Sequence, residues 1–216
     1  MQTINLLPVN ATGTLSPLLP SITKAFEQST EVAIKELGLK EIDVLVFDFP
    51  QDTIKELGIG GRTFNKNLIY ININPDFGKI EYQEILATMY HEYHHAARFA
   101  SVGYGATLLE SLFSEGLACL YEKEKTGRTP IYVKSKVTEQ TIELISKDIN
   151  SVSYNHTEIF VSGNNNIPKW FGYSYGYNLA KKASINLGKS ASQLVSYTAK
   201  DLYNAAKMHN KPNNKF

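Results

Sequence analysis

Apolar residues recur along this chain at two periods, and the change from one to the other organises it. Thr3–Leu7 predicts a first short strand. From Pro17 to Leu37, Leu18, Ile22, Phe26 and Ile34 fall at helical spacing, and Gly38 supplies a stop. Ile42–Phe49 alternates Ile, Val, Val and Phe with its neighbours and then meets Pro50, which predicts a largely buried strand. Gln51–Leu57 reads as a short helical turn. Ile59–Phe64 and Leu68–Ile73 flank Asn65-Lys66-Asn67, a connection rich in turn formers, and predict a hairpin that ends at Asn74-Pro75.

Beyond residue 80 the helical period takes over. Glu81 to Phe99 places Tyr82, Ile85, Leu86, Met89, Tyr93, Ala96 and Ala97 on one face, with His91 and His95 roughly opposite. A core side and a metal side are therefore expected. A glycine-containing link, Val102–Ala106, leads to a helix from Thr107 to Lys125, closed by Gly127. Thr138–Ile149, Tyr173–Leu187 and Ser190–Met208 read as further helices. Ser151–Pro168 reads as irregular, and Asn210–Phe216 as a polar, frayed end. No internal repeat or convincing linker interrupts the pattern. The expectation is an α+β fold in one domain. A small mixed or antiparallel sheet occupies 1–80, a mainly helical part 81–208, and a tail 209–216.

Composition narrows the class. With 216 residues, 43% hydrophobic and 20% charged, the chain fits a soluble globular protein with an ordinary core. A formal net charge of +1, with Lys and Arg scattered, argues against a nucleic-acid surface or a polybasic membrane patch. One cysteine, Cys119, excludes an internal disulfide and a cysteine-rich zinc site. The N-terminal stretch lacks a basic start and an unbroken apolar run, and no segment approaches the roughly 18 apolar residues of a membrane span. A cytoplasmic setting is expected.

The chemistry concentrates in His91-Glu92-Tyr93-His94-His95. On a helix, imidazoles four apart share a face and can hold one zinc ion at about 2.0–2.1 Å each. A carboxylate beside the first is placed to act as general base. So short a pattern also arises by chance, and helix-surface histidines beside a glutamate are ordinary. A catalytic zinc needs a third protein ligand. Glu115, 20 residues after His95, lies in line with Leu108, Leu112 and Cys119, where a bare carboxylate would be costly and a metal or cation would compensate it. The plainer reading pairs it with Arg98 or Lys123. Gly116 and Ala118 are small enough to let two helices approach. Glu110 competes as ligand but falls off the stripe and reads as a surface or supporting residue. Glu122 is placed to accept the other ring N–H of a ligating histidine, or to join a solvated network. His94 lies about 100° around the helix and is not counted as a ligand. Arg98 reads as one half of a surface or structural salt bridge.

Together, His91-Glu92-x-x-His95-x-x-Arg98, Leu109-Glu110-Ser111-Leu112-x-x-Glu115-Gly116-Leu117-Ala118 and Gly172-Tyr173-x-x-Gly176-Tyr177 resemble the gluzincin metallopeptidases. More specifically they resemble the YjaZ-like family of bacterial proteins, predicted to be zinc-dependent proteases. The resemblance implies a zincin-like fold, a Zn2+ cofactor held by His91, His95 and Glu115, Glu92 as general base, and a peptide or protein substrate. It also implies a donor to the oxyanion, for which Tyr173 and Tyr177 are the candidates; aromatic residues at this spacing are otherwise core, and His156 is a weaker alternative. In such folds an edge strand runs above the metal, and Gly60 and Gly61 would let a substrate backbone approach, unless they only shape a turn or bulge. The expected reaction is peptide-bond hydrolysis, as an endopeptidase ahead of an aminopeptidase, because no acidic motif for a free amine precedes the zinc helix. A metal-stabilised binding or chaperone-like domain is the rival from another class.

Overall fold

Period-two burial builds the sheet. Ile42, Val44 and Val46 are buried while Glu41 and Asp43 are exposed, and Ile69, Ile71 and Ile73 repeat the pattern two strands on. The computed structural model describes residues 3–208, so the expected tail at 209–216 lies outside the described residues. Its contacts gather into two compact units, Met1–Gly103 with Tyr121–Arg128, and Tyr104–Leu120 with Thr129–Phe216.

The first unit holds β1 (Thr3–Val9), α1 (Leu19–Leu37), β2 (Glu41–Asp48), β3 (Ile59–Asn65), β4 (Leu68–Ile73) and α2 (Tyr82–Ser101). The strand order is β1-β2-β4-β3, so β1 and β3 are the edges. β1 runs parallel to β2 and β2 to β4, whereas β3 returns antiparallel to β4 as the expected hairpin. The sheet is thus mixed. α1 stops where Gly38 takes a left-handed φ of 68° and its N–H caps the Ile34 carbonyl. α2 packs against α1 and lies across β3 and β4. A bond of 2.6 Å between the hydroxyls of Thr30 and Tyr93 ties the two helices. On the other face of the sheet, the rings of Phe47, Tyr70 and Phe64 pack in a tilted row, with centroids 4.8 and 4.4 Å apart.

The second unit is helical. It takes the first part of α3 (Leu108–Thr126), then α4 (Glu139–Ser146), α5 (Phe171–Leu187) and α6 (Ala199–Lys207). Here the structure corrects several boundaries. Ser190–Met208 is not one helix: a 3₁₀ turn at Ser192–Leu194 precedes α6, because Thr198 turns extended and its side chain accepts the Asp201 N–H as a fresh N-cap. The irregular stretch contains a π-helical turn at Thr157–Ser162. In the first unit, the helical turn expected at Gln51–Leu57 shrinks to a 3₁₀ turn at Pro50–Asp52, and Ile54 instead bridges to Ile59. Among the described residues no helix is long and apolar enough to cross a membrane.

Candidate metal centre

α2 begins after Glu81, whose extended φ and ψ of −72° and 141° turn the chain into the helix, and it closes on a Gly103 N–H bond to the Arg98 carbonyl. Between Ile85 and Arg98 every residue except Thr88 is buried. The face with the histidines is enclosed along with the core face, at 7% exposure for His91 and 3% for His95.

The helical spacing brings the two imidazoles together. Their Nε2 atoms stand 3.0 Å apart, with the rings edge to face at 78°. Two ligands of a tetrahedral zinc stand about 3.3 Å apart, given bonds of roughly 2.0–2.1 Å. Two lone pairs this close repel unless a proton or a cation lies between them. His91 Nδ1 is 3.3 Å from Glu122 Oε2, and the Glu122 carboxylate is itself buried. An N–H at Nδ1 donating to that carboxylate leaves the lone pair on Nε2, the tautomer that binds metal. The residues thus fit a divalent ion, and His91, Glu92 and His95 each offer a donor atom within 4.8 Å of the others.

Glu92 is 4% exposed and held from the sheet. The Thr63 hydroxyl lies 2.7 Å from its Oε2 and 3.0 Å from its own backbone carbonyl oxygen. Gly61 faces the same carboxylate: a Cβ there would stand 2.5 Å from Glu92 Cγ and Oε1. A Cβ on Gly60 would meet the Asp52 carbonyl oxygen at 2.5 Å. The side-chain space of both glycines is thus taken by the protein itself.

The other candidates divide. His94 is fully buried with its ring against Tyr121, centroids 5.6 Å apart, which makes it a core residue. Arg98 is 1% exposed, so the surface reading of its ion pair fails. Glu110 is spent at the start of α3: its Oε2 accepts from the N–H groups of Ala106 and Thr107, and its own N–H returns a bond to Thr107 Oγ1. That is a capping box, legible as T-x-x-E.

In the second unit Glu115 is 4% exposed on α3, in line with the fully buried Leu108, Leu112 and Cys119. The Tyr104 hydroxyl donates to its Oε1, and the Tyr104 carbonyl accepts from Ser114 Oγ, so the tyrosine is held at both ends. The expected close helix approach occurs here: Gly116 lies against the Gly176 carbonyl of α5, and Gly176 against that of Leu112. Tyr177 enters at that crossing and is 6% exposed. Tyr173, one turn earlier, packs against Tyr132 and Phe160 at 5.0 and 5.5 Å. His156 is exposed and stacked on Phe160.

Two residues escaped the sequence reading. Thr63 could have been found two places after Gly61, on the same face of a strand. Tyr104 is flanked by Gly103 and Gly105, which marks an aromatic held in a glycine link.

The curated protein YjaZ of Bacillus subtilis (strain 168), described as uncharacterized, is 29% identical over 132 residues, which cover 55% of this chain. The chain spans about half of that relative, 47% of its length. No solved structure matches the chain. Over residues 20–204 the sequence matches the family described as "Predicted Zn-dependent protease (DUF2268)", and the chain belongs to that family.

Proposed function

We propose that this chain is a zinc-dependent endopeptidase, with His91, His95 and Glu115 as the metal ligands and Glu92 as the general base. The observation that carries the reading is the pair of buried Nε2 atoms 3.0 Å apart beside a buried carboxylate on the same helix. Purely structural zinc sites use four ligands and need no base. Glu115 is the third ligand on its chemistry: a buried carboxylate on an apolar stripe, oriented by the Tyr104 hydroxyl as ligating carboxylates are. It shares a helix face with Glu122, seven residues on, which serves His91.

Zinc at such a donor set supplies a Lewis acid that polarises a carbonyl and acidifies water. Glu92 accepts the proton of the attacking water and returns it to the leaving amine. Tyr173 or Tyr177 donates a hydroxyl to the developing oxyanion. The substrate adds as a strand along the outer edge of β3, with main-chain bonds near Gly60 and Gly61. The acidic residues that begin α2, Glu81 and Glu84, lie 3.5 and 2.8 Å from Arg128, so they are engaged rather than offered to a free amine, which favours an endopeptidase. The lone buried thiol of Cys119 fits a reducing compartment, the cytoplasm.

The test is Glu92→Gln, assayed on quenched peptides with metal content measured in parallel. Zinc retained at wild-type stoichiometry with hydrolysis abolished is the expected result. Unchanged turnover would remove Glu92 from the mechanism.

A further inference from the structure

We propose that β3 is the positioning strand for the general base, with Thr63 as the positioning residue and Gly61 providing the clearance that lets the Glu92 carboxylate sit beneath the strand. The inference rests on the reading of Glu92 as base and goes one step behind it, to what aims that base.

Three separate features of β3 converge. Thr63 Oγ1 lies 2.7 Å from Glu92 Oε2, a hydroxyl-to-carboxylate bond of the charge-assisted kind. Its alternative acceptor, the Glu92 carbonyl oxygen, is further off at 3.0 Å. The two acceptors share one proton, and the shorter, charge-assisted bond to the carboxylate is the stronger of the two. Threonine also brings a stiff χ1, which a serine lacks. Second, Gly61 and Thr63 are two apart and point to one face of the strand. Gly61 faces Oε1 while Thr63 holds Oε2, so the two residues define both the roll and the depth of the carboxylate. Third, the β3–β4 register slips between Thr63 and Asn65. Such bulges recur beside active sites, where they re-aim a side chain.

A carboxylate on a flexible glutamate has three rotatable bonds, and a base must be held in one orientation to take a proton efficiently. Burial alone does not choose between rotamers. The Thr63 bond does, by fixing Oε2. Because β3 is also the edge proposed to receive the substrate, the strand that docks the peptide is the strand that aims the base.

The experiment compares Thr63→Val, Thr63→Ser and Glu92→Gln. Thr63→Val keeps the shape and removes the donor. Its kcat should fall about 10- to 100-fold, the loss expected for one hydrogen bond to a charged group, with KM and zinc stoichiometry unchanged. Thr63→Ser should recover kcat to within a few-fold. A readout independent of turnover uses the zinc-free protein. In a double-mutant cycle of Thr63→Val with Glu92→Gln, the combined shift in the urea midpoint should differ from the sum of the single shifts. Wild-type kcat in Thr63→Val overturns the proposal, as does a loss confined to KM or to zinc content, failure of serine to rescue, or strict additivity in the cycle. Turnover surviving in Glu92→Gln would instead strike the base reading, and the zinc-free cycle would still report whether Thr63 holds that carboxylate.

Discussion

Two of the close approaches made at glycine in this protein do opposite work. Where β3 lies over α2, a Cβ on Gly61 would meet Cγ and Oε1 of Glu92 at 2.5 Å, the outer part of a side chain that can rotate away. Where α3 meets α5, a Cβ on Gly116 would overlap the Gly176 carbonyl, and one on Gly176 that of Leu112. Backbone atoms in two helices cannot step aside singly. The first glycine therefore sets the position of a functional group, and the second pair sets the spacing of a helix crossing. A small residue in a sequence says only that something comes close; its meaning depends on whether the neighbour is mobile.

The sharpest way to break that comparison is Gly116→Ala or Gly176→Ala. Each forces the crossing open, and overpacking against backbone should cost about 3 kcal/mol, the upper end of small-to-large substitutions. Urea unfolding of each variant measures it, and a midpoint equal to wild type would refute the tight crossing. Glu122→Leu comes next. Losing the acceptor for His91 Nδ1 should weaken zinc by about 10- to 100-fold in competition with a chelator. An unchanged affinity would show that Glu122 does not orient the ligand. Gly61→Ala should be milder in stability, below about 1 kcal/mol because Glu92 can swing clear, yet it should depress kcat by moving the base. If Gly61→Ala instead unfolds the protein while keeping full specific activity, the contrast between the two glycines is void.

What the sequence disclosed follows the same division between local and distant. The spacing of Ile22, Phe26 and Ile34 with Gly38 after them leads to α1, which closes at Leu37. Hairpin and α2 were equally legible, and the meeting of His91 with His95 is a property of one helix turn. Strand order was not, because β1-β2-β4-β3 is decided by which faces bury, not by any local signal. The partner of Glu92 was hidden: Thr63 is 29 residues away, and nothing in either segment alone names the other. Glu122, 31 residues from His91, was legible only as an acceptor for a ligating histidine, and the structure assigns it to His91. The break before α6 was readable in principle, since Thr198 and Asp201 form a cap, but the apolar period ran through it.

The smallest effect is invisible at neutral pH and separates the units by their tyrosines. Burial raises the pKa of Tyr93 in the first unit, against an opposing bond from Thr30, and burial followed by the nearby Tyr203 raises that of Tyr175 in the second to about 12. An unfolded tyrosine titrates near 10. Below that pH both states keep their protons, and the stabilisation is fully present. Above it the unfolded chain ionises first, so stability falls as pH climbs from 10 toward the folded value, near 12 for Tyr175. Absorbance at the tyrosinate band, followed together with far-ultraviolet circular dichroism, reads this directly. Exposed tyrosines should ionise reversibly with the helices intact, and a late fraction should ionise only as the helical signal disappears. Tyr93, buried at 0% exposure and bonded to Thr30 across α1 and α2, belongs in that late fraction. Complete ionisation of all 13 tyrosines near pH 10 with the helical signal preserved would mean that neither hydroxyl is held as the packing requires.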